Sequence, residues 1–373
     1  MSEQQLMKDQ LGTEAVVQIS QALSVCLTDF PHQQFTQESL AELENKELKQ
    51  RVDYLISILA NYLPRDFAET ADVLLSVKKY WSESRTRAIW GSFTAWPLID
   101  YVAVHGLKEP EISLNLLKEL TSLFSAEFAI RPFIEQHFDL SYQTIMEWTA
   151  DKDEHVRRLA SEGIRSRLPW GNRLHLFCRD PLPVLNILER LKDDPSLYVR
   201  RSVANNLNDI AKDHPEKVIE ICQRWSVDAT PERQWLIRHA LRGLVKVGYP
   251  EVFQLLGYSK QVEVDIMFFK LGESRLVLGN NLTIEANIQS KSENTQKLVI
   301  DYKVHRVKAN GLTTSKVFKW KNITLLPQQT LILTKKHPFK IITTRKYYAG
   351  THTIELLING VSYTSAEFEL RLL

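Results

Sequence analysis

The sequence predicts a multidomain protein, α then β: an all-α HEAT-like repeat solenoid over residues 1–258, followed by an immunoglobulin-like antiparallel β-sandwich over residues 259–373. Three observations predict this fold class. Apolar residues recur with helical spacing up to Tyr258, an Arg-containing segment repeats at intervals of 43 and 38 residues, and apolar and polar residues alternate after Gly257. The 373 residues suffice for two such domains, each with its own core.

The strongest indication of the helical region is the internal repeat. Its three copies open with Val156-Arg157-Arg158, Val199-Arg200-Arg201 and Ile237-Arg238-His239. Each copy begins an apolar stripe at helical spacing and follows a helix-start signal containing Asp, Ser or Pro. Further predicted helices cover residues 14–25, 45–62, 67–77 and 111–124. Because one helix pair cannot bury its apolar face alone, the pairs are expected to stack into a solenoid with a concave surface.

The region after residue 257 has the pattern of a β-sandwich. Apolar residues alternate with polar ones at 282–288, 298–304, 354–358 and 368–372. Asn310-Gly311 and Asn359-Gly360 are hairpin turn signals between such runs. About seven short strands are expected, a number typical of an immunoglobulin-like domain. The cysteine pair of antibody domains is lacking, so the resemblance to that domain concerns architecture alone.

Composition and cysteine usage restrict the class of protein. Hydrophobic residues make up 44% and charged residues 25%, as in ordinary globular proteins. No apolar run approaches the roughly 18 residues of a membrane span, and the polar start Met1–Gln5 does not resemble a signal peptide. Cys26, Cys178 and Cys222 are far apart and lack CxxC spacing. We therefore expect no disulfide framework, no cysteine metal site and a cytoplasmic location.

The net charge of +2 conceals an asymmetry between the two regions. From Gln261 onward there are 16 lysines and arginines against nine acidic residues, whereas the upstream part has an excess of five acidic residues. A basic module joined to a mildly acidic helical region suggests a polyanionic partner. A solvated, lysine-rich surface on a β-domain explains the charge equally well.

Segments spread over residues 5–250 carry a resemblance to a known family. They are Leu6-Met7-Lys8-Asp9-Gln10-Leu11-Gly12, the run from Leu43 to Val52, Leu63-Pro64, Trp96-Pro97-Leu98-Ile99-Asp100-Tyr101, the run from Ser125 to Phe133, and the repeat helices with Pro169-Trp170. Together they resemble the AlkC branch of the AlkC/AlkD DNA glycosylases, which remove alkylated bases from DNA. Some members of that branch carry an immunoglobulin-like domain after the repeats, and the β-module here is similar to it.

The resemblance implies a DNA glycosylase that excises cationic N-alkylated bases from duplex DNA, 3-methyladenine being the typical substrate of the family and 3-methylcytosine an open alternative. It further implies that the lesion is gripped without a deep base-flipping pocket. A cationic base leaves readily, so the enzyme must stabilise positive charge on the deoxyribose and position a water, which a nearby carboxylate can do. The resemblance points to Glu127, Glu162, Trp170 and Asp209 as catalytic residues.

Helical periodicity supports part of this assignment. The apolar stripe of the first repeat helix excludes Arg158, Glu162 and Arg165, which share one face. On the next repeat helix, Asp209 occupies the equivalent face together with Arg201 and Asn205. A carboxylate near the sugar is the role expected of Asp209, while Glu162 and Glu127 would hold the cationic base or the network around it. A solvated surface network of Arg and Glu is the alternative reading of this row.

Two tryptophans are candidates for contact with the lesion. Trp170 lies just past the first repeat helix and would pack against the lesion or its sugar through cation–π contacts; otherwise it is an interhelix plug. Trp96 and Asp100 form a second-choice, lesion-facing pair at helical spacing, since a similarly placed pair faces the lesion in AlkD-type relatives. Pro97 can also mark a helix start, which would make Asp100 a capping residue of the first turn.

Basic residues in both regions are expected to contact DNA phosphates, although structural pairing with acidic residues is the alternative for about half of the arginines. The DNA-binding candidates are Arg157, Arg158, Arg165, Arg200, Arg201, Arg238 and Arg242 in the helical region, and Lys336, Arg345 and Lys346 in the β-module. The β-module residues belong to a basic and aromatic loop region that could enter the minor groove.

The sequence contains no Gly-rich phosphate loop, HExxH motif, Cys/His cluster or GxSxG elbow. The expected chemistry needs no metal and no cofactor, and the expected partner is double-stranded DNA with alkylated bases, bound by a monomer. A non-enzymatic HEAT-repeat scaffold that binds nucleic acid or protein in its groove is the competing hypothesis. Carboxylates on the same face as the arginines favour the enzyme, because a pure binder of phosphates gains nothing from them.

Overall fold

The computed structural model describes residues 6–83, 91–342 and 345–372. The chain forms two compact units, which we call the N-terminal unit, ending at His214, and the C-terminal unit, beginning at Pro215. Each unit has its own buried apolar core. In the described residues, no helix is both long enough and apolar enough to cross a membrane.

The N-terminal unit is helical throughout. Its α-helices in the described ranges are α1 Thr13–Cys26, α2 His32–Leu40, α3 Leu48–Leu59, α4 Phe67–Glu83, α5 Gly91–His105, α6 Pro110–Leu120, α7 Arg131–Gln136, α8 Phe138–Trp148, α9 Glu154–Glu162, α10 His175–Arg179, α11 Leu182–Leu191 and α12 Leu197–Ile210. The start predicted at residue 45 lies instead at Leu48, because the Glu47 and Gln50 side chains cap the helix there.

The first two repeat helices, α9 and α12, form as the sequence predicts. Asp153 caps α9 by accepting from the His155 N–H, and Ser196 caps α12 by accepting from the Tyr198 N–H. The apolar stripe of each helix is buried, and α9 packs directly against α12. Stacking these stripes turns the opposite faces of the two helices, which carry the charged residues, toward the same side.

The C-terminal unit joins four helices to an eight-stranded sandwich within the described residues. The helices are α13 Pro215–Ser226, α14 Pro231–Ala240, α15 Arg242–Val247 and α16 Pro250–Leu255. The strands are β1 Val264–Leu271, β2 Arg275–Val277, β3 Asn281–Ser290, β4 Gln296–Val307, β5 Thr313–Leu325, β6 Thr330–Pro338, β7 Gly350–Ile358 and β8 Val361–Arg371. The sequence predicted about seven strands, and the short β2 is an element that alternation could not reveal.

The strands form two sheets that enclose one core. One sheet has the order β1-β3-β6 and the other the order β2-β8-β7-β4-β5. All pairings are antiparallel except β2 with β8. Alternate residues of β3, such as Leu282, Ile284 and Ile288, are fully buried between the sheets. The predicted immunoglobulin-like sandwich is therefore confirmed.

The β7–β8 hairpin contacts the helical part of the C-terminal unit through two glycines. Gly360 follows Asn359 in the hairpin turn and has φ 79°, while Gly248 ends α15 with φ 91°. A Cβ on Gly360 would lie 2.5 Å from the Gly248 Cα and 3.1 Å from the ring of Phe253. The Asn359 side chain adds a hydrogen bond of 3.0 Å to the Ser259 carbonyl. The last helices and the sandwich are thus packed backbone against backbone.

Gly360→Ala is expected to lower the stability of the protein by about 3 kcal/mol, because it combines a left-handed φ with a backbone clash. Gly311→Ala is the matched control, since Gly311 has φ 75° in the β4–β5 turn with no atom within 4 Å of the added Cβ. Only the conformational penalty of about 1 kcal/mol applies there. Thermal melts of both variants measure the difference, and equal losses would show that the close approach is unimportant.

The change from helices to strands falls between Leu255 and Val264. We retain the domain boundary near residue 258 as a proposal, which this change in secondary structure supports. This boundary differs from the one at His214 between the two compact units. The boundary at His214 follows the density of contacts between residues, whereas the one near residue 258 follows the change from helices to strands.

Candidate active site

The N-terminal unit contains an alternating row of acidic and basic side chains, which we call the carboxylate row. In order, its members are Glu127, Arg158, Glu162, Arg165, Asp209 and Lys212. The residues before α7, helix α9 with the turn after it, and helix α12 each contribute members. Three carboxylates and three cations balance in charge, so the row is stable without an external counter-ion.

The first end of the row is centred on Arg158. Its Nη1 donates to Glu127 Oε2 at 3.0 Å and to Ser125 Oγ at 2.8 Å, and its Nη2 lies 3.7 Å from Glu162 Oε1. The guanidinium also lies 4.6 Å from the ring centroid of Tyr198. Burial raises the pKa of Glu127 above its usual value, against the lowering effect of Arg158.

Glu162 lies in the middle of the row and is almost fully buried. Its Oε1 accepts from Arg165 Nη1 at 2.5 Å, and its Oε2 accepts from the Ser202 hydroxyl on α12. The two oxygens therefore accept from two neighbouring layers: Oε1 from the turn after α9 and Oε2 from α12. This pairing makes Glu162 the element of the row that couples α9 to α12.

Asp209 ends the row with two oxygens in different environments. Its Oδ2 is held side-on by Arg165, from Nε at 2.8 Å and from Nη2 at 2.7 Å. Its Oδ1 accepts from Lys212 Nζ at 2.8 Å, and the Lys212 side chain is 52% exposed. One oxygen is thus fixed by a buried guanidinium, whereas the other is covered by a flexible ammonium that a ligand could displace.

Trp170 lies in the loop after α9 with 57% of its surface exposed. Its φ of 64° is left-handed, an unfavourable backbone conformation for a bulky residue. Lys49 Nζ donates to the Trp170 carbonyl at 3.0 Å and lies 5.8 Å from the Phe128 ring centroid. The exposed indole is not an interhelix plug, and the loop holds it in place against local strain.

Arg131 supports this loop from below and is 2% exposed. Its guanidinium donates to the carbonyls of Gly163 at 3.0 Å, Arg165 at 2.9 Å and Asn172 at 2.9 Å. Burial lowers the pKa of Arg131 to about 10. One side chain therefore connects the end of α9, which carries the carboxylate row, to the loop that presents Trp170.

Trp96 and Asp100 are joined but do not lie on an open surface. Trp96 is fully buried and stacks on Phe124 and Phe128, with ring centroids 5.1 and 5.2 Å away. Its Nε1 donates to Asp100 Oδ2 at 2.7 Å. Pro97 lies inside α5 and does not start it, so the alternative reading of Asp100 as a capping residue of the first turn is wrong. Trp96 has no surface to present to a lesion in this structure.

Asp100 is partly exposed as a residue, but its Oδ1 is buried and accepts no hydrogen bond from the part of the chain that the structure describes. Burial raises its pKa to about 7, despite the lowering effects of the Trp96 hydrogen bond and the Lys49 charge. Because the folded-state pKa lies above the unfolded value of 3.8, folding favours the protonated acid. The stability that this proton contributes is present below pH 4 and is lost as the pH rises through 7.

Asp100→Asn is therefore expected to stabilise the protein at pH 8, by on the order of 3 kcal/mol, and to change little at pH 4. The amide oxygen can still accept from Trp96. Melting temperatures of wild type and variant at the two pH values measure the effect. Asp72→Asn, at an exposed position of α4, is the control and should show no such pH dependence. A stabilisation equal at both pH values would contradict the assignment.

The predicted phosphate contacts fall into two groups. Arg158 and Arg165 belong to the carboxylate row, Arg157 forms a two-point pair with Asp194 at 2.6 and 3.1 Å, and Arg200 donates to the Asp194 and Pro195 carbonyls. Arg201 and Arg238 are exposed, and Arg242 is half-buried beside the His239 carbonyl. The first group and Arg242 thus bind protein groups, whereas the side chains of Arg201 and Arg238 are exposed.

The basic residues of the β-module lie on β6 and in the segment before β7. Lys336 and Lys346 are exposed, whereas Arg345 is half-buried, with its guanidinium 5.8 Å from the Tyr347 ring centroid. Lys346 Nζ lies 5.7 Å from the Tyr348 ring centroid. Cationic side chains thus lie close to aromatic rings in this basic and aromatic segment.

Several site residues escaped the sequence reasoning. Arg131 is a lone arginine between Ile130 and Pro132-Phe133, a setting that indicates a buried cation in need of acceptors. Lys212 lies three residues after Asp209, a spacing that predicts contact on a helix. The contact between Lys49 and the Trp170 loop spans 121 residues, and no local pattern signals it.

Comparison with known proteins agrees with this architecture. A family model described as DNA alkylation repair enzyme matches residues 124–244, and one for the C-terminal Ig-like domain of YhaZ matches residues 265–372. The uncharacterized protein YhaZ of Bacillus subtilis is 34% identical over 365 residues, 98% of this chain and 99% of that protein.

A solved structure of the Pseudomonas fluorescens alkylpurine DNA glycosylase AlkC, bound to DNA containing an abasic site analogue, is 35% identical, with a TM-score of 0.92. The match covers 98% of this chain and 100% of that one. The fold and these matches thus define a helical-repeat protein of the DNA alkylation repair class with an immunoglobulin-like module. The chain belongs to the AlkC branch of the DNA alkylation repair enzyme family.

Proposed function

We propose that this protein is a DNA glycosylase that hydrolyses the N-glycosidic bond of cationic N-alkylated bases in duplex DNA. 3-Methyladenine is the proposed principal substrate and 3-methylcytosine a second one. The observation that carries the proposal is Asp209, a buried carboxylate with one oxygen clamped by Arg165 and the other behind an exposed lysine. The similar AlkC structure, bound to DNA with an abasic site analogue, supports duplex DNA as the partner.

The proposed mechanism uses the leaving-group ability of a base that is already positively charged. As the glycosidic bond breaks, positive charge develops on the deoxyribose, and the Asp209 carboxylate stabilises it in a site of low dielectric constant. Displacing Lys212 frees Oδ1 to orient the attacking water. Arg165 holds the other oxygen, so the carboxylate needs little reorganisation during the reaction. Glu162 and Glu127 fix the two arginines and add negative potential toward the cationic base.

Trp170 is the proposed contact to the lesion. Its indole is exposed while its backbone is fixed by Lys49, so the aromatic face is available without a conformational change. A cation–π contact with an alkylated base or the developing oxocarbenium ion contributes roughly 0.5–2 kcal/mol. Such a contact grips the damaged nucleotide from an open surface, without the deep pocket that base-flipping enzymes use.

Exposed basic residues of both units are the proposed DNA-binding set. They are the predicted phosphate contacts whose side chains are exposed: Arg201 and Arg238 in the helices, and Lys336 and Lys346 in the β-module. Each phosphate that they neutralise steepens the salt dependence of binding. The proposed enzyme acts as a monomer, and its chemistry requires neither a metal nor a cofactor.

The test is release of free base from methylated duplex DNA, with separate substrates for 3-methyladenine and 3-methylcytosine. The wild-type protein is expected to release the base well above the spontaneous rate and to leave an abasic site. Tight duplex binding with no release above that rate would instead establish the scaffold hypothesis. Release of one base alone would define the substrate range.

A further inference from the structure

The C-terminal unit contains a basic pocket outside the carboxylate row. It is a cavity of about 110 Å³ between the helices α14–α15 and the sheet strands β4 and β5. Four cationic side chains line it: Arg238, Arg242, Lys246 and Lys319. The last helices of the unit supply three of the charges and strand β5 supplies the fourth. Such a concentration of positive charge around a small cavity fits a compact anion.

An acidic residue also lines this pocket. Asp301 is 3% exposed, and none of the described residues donates a hydrogen bond to its Oδ1. Strand β5 has a bulge here, since Ile300 pairs with Lys321 and Asp301 pairs with Lys319, which leaves Trp320 outside the register. The Trp320 backbone N–H hydrogen-bonds the Asp301 carboxyl instead. The bulge thus points a backbone N–H at the Asp301 carboxyl and leaves Oδ1 without a donor in the described part of the chain. Bulges often reorient groups in this way next to functional sites.

A phenol completes the polar lining. The Tyr258 hydroxyl accepts a hydrogen bond from Asn322 Nδ2 at 2.7 Å, which leaves its own proton for a ligand. The charged and hydroxyl groups that line the cavity together with Asp301 are Arg238 from α14, Arg242 and Lys246 from α15, Lys319 from β5 and the Tyr258 phenol. Burial raises the pKa of Asp301 to about 6, although Trp320, Lys319 and Lys246 each act to lower it.

These groups make two demands that few ligands meet together. The excess of cationic side chains over the single carboxylate favours an anion, whereas a carboxylate oxygen without a donor requires a hydrogen-bond donor and repels a bare anion. An oxyanion that retains one proton satisfies both. We propose that this pocket binds a phosphate monoester group, with its P–OH donated to Asp301 and its remaining oxygens bound by the cations. The ligand is either inorganic phosphate or the terminal phosphate of a cleaved DNA strand.

The proposal predicts selection against fully deprotonated oxyanions. A phosphate monoester has a second pKa of about 6 and so carries a proton in a large fraction of molecules near that pH. Sulfate and a phosphodiester carry none, so they can bind only when Asp301 itself is protonated. Sulfate binding and monoester binding should accordingly weaken as the pH rises from 6 to 8, because neither the anion nor Asp301 then holds the shared proton. Inorganic phosphate still carries one proton as HPO4²⁻ at pH 8 and should keep its preference over sulfate.

The first experiment titrates the full-length protein with inorganic phosphate and with sulfate at pH 6 and 8, by calorimetry and without DNA. The wild type is expected to prefer phosphate at both pH values. Asp301→Asn, which supplies a permanent amide donor, is expected to bind sulfate at least as well as phosphate and to lose the pH dependence. Equal binding of the two anions by wild type, unchanged selectivity in the variant, or no phosphate binding would each overturn the proposal.

Lys319→Ala tests the same pocket in case Asp301→Asn prevents folding. Lys319 is exposed, so its removal should leave the fold intact and weaken phosphate binding about fivefold. Lys321→Ala is the control, because Lys321 is exposed on the same strand and does not line the pocket. Equal effects of the two lysine variants would show non-specific charge attraction and reject the site.

A second arm distinguishes the two sources of the phosphate. Nicked duplexes that carry either a 5′-phosphate or a 5′-hydroxyl at the nick are compared for affinity to wild type and Asp301→Asn. Tighter binding of the 5′-phosphate by wild type alone identifies a DNA end, whereas equal binding leaves inorganic phosphate as the ligand. Because the anion titrations contain no DNA, their outcome is independent of whether the protein releases alkylated bases.

Discussion

Replacing Asp209 with Asn should lower the rate of alkylated-base release at least about a hundredfold, the largest catalytic effect that the carboxylate row predicts. The amide has nearly the same shape as the carboxylate but cannot stabilise positive charge on the sugar. The substitution also leaves Arg165 with one carboxylate fewer, so some loss of stability is expected. Single-turnover release from methylated duplex DNA, measured well below the melting temperature, separates the two effects.

Asp213→Asn is the matched control for this experiment. Asp213 lies four residues later and pairs with Arg167 at 2.6 Å, in a more exposed ion pair outside the row. Its loss should change base release less than twofold. Lys212→Ala should also preserve release, since it removes only the group that covers Oδ1. If Asp209→Asn releases base within threefold of wild type, Asp209 is not the residue that stabilises the sugar.

Arg131→Met is expected to lower both the stability and the activity of the protein. Three carbonyls lose their buried donor, which should destabilise the protein by about 3 kcal/mol or more and lower the melting temperature by roughly 6–12 °C. The loop that presents Trp170 loses its support at the same time. Thermal melts and base release per folded molecule are the measurements, together with protease sensitivity of residues 163–173.

Arg51→Met separates general destabilisation from the loss of the Trp170 support. Arg51 is equally buried and likewise donates to backbone carbonyls, those of Lys8, Leu11 and Lys46. Its loss should lower the melting temperature to a similar extent and leave release per folded molecule unchanged. Should both variants show the same activity per folded molecule, Arg131 would have a structural role only.

The fold was predictable because its periodicities are local. The stripe that begins at Val156 and its counterpart at Val199 alone define two stacked helices, and Asn359-Gly360 marks a turn that only a few residue types can form. The tight contact of Gly360 with Gly248 could not be predicted, because it depends on backbone segments more than 100 residues apart. The bulge at Trp320 could not be predicted either, because it changes which residues of β4 and β5 pair and has no signal in the composition of the strand.

The candidate site was predictable only in part. Helical spacing places Glu162 and Asp209 on equivalent faces, and the structure joins them through Arg165. Their burial did not follow from the sequence, because charged residues on a non-apolar face are normally solvated. The directions of adjacent arginines were also unpredictable: Arg157 binds Asp194, whereas Arg158 turns to Glu127.

The packing of Phe253 and Gly248 against Gly360 has a consequence for synthesis of the chain. The helices α14–α16 leave the ribosome before the hairpin that covers them, and about a hundred residues separate the two. At translation rates of roughly 5–20 residues per second, these helices must wait on the order of 10 s for their partner. During that interval the part of Phe253 that Gly360 covers in the folded protein is exposed.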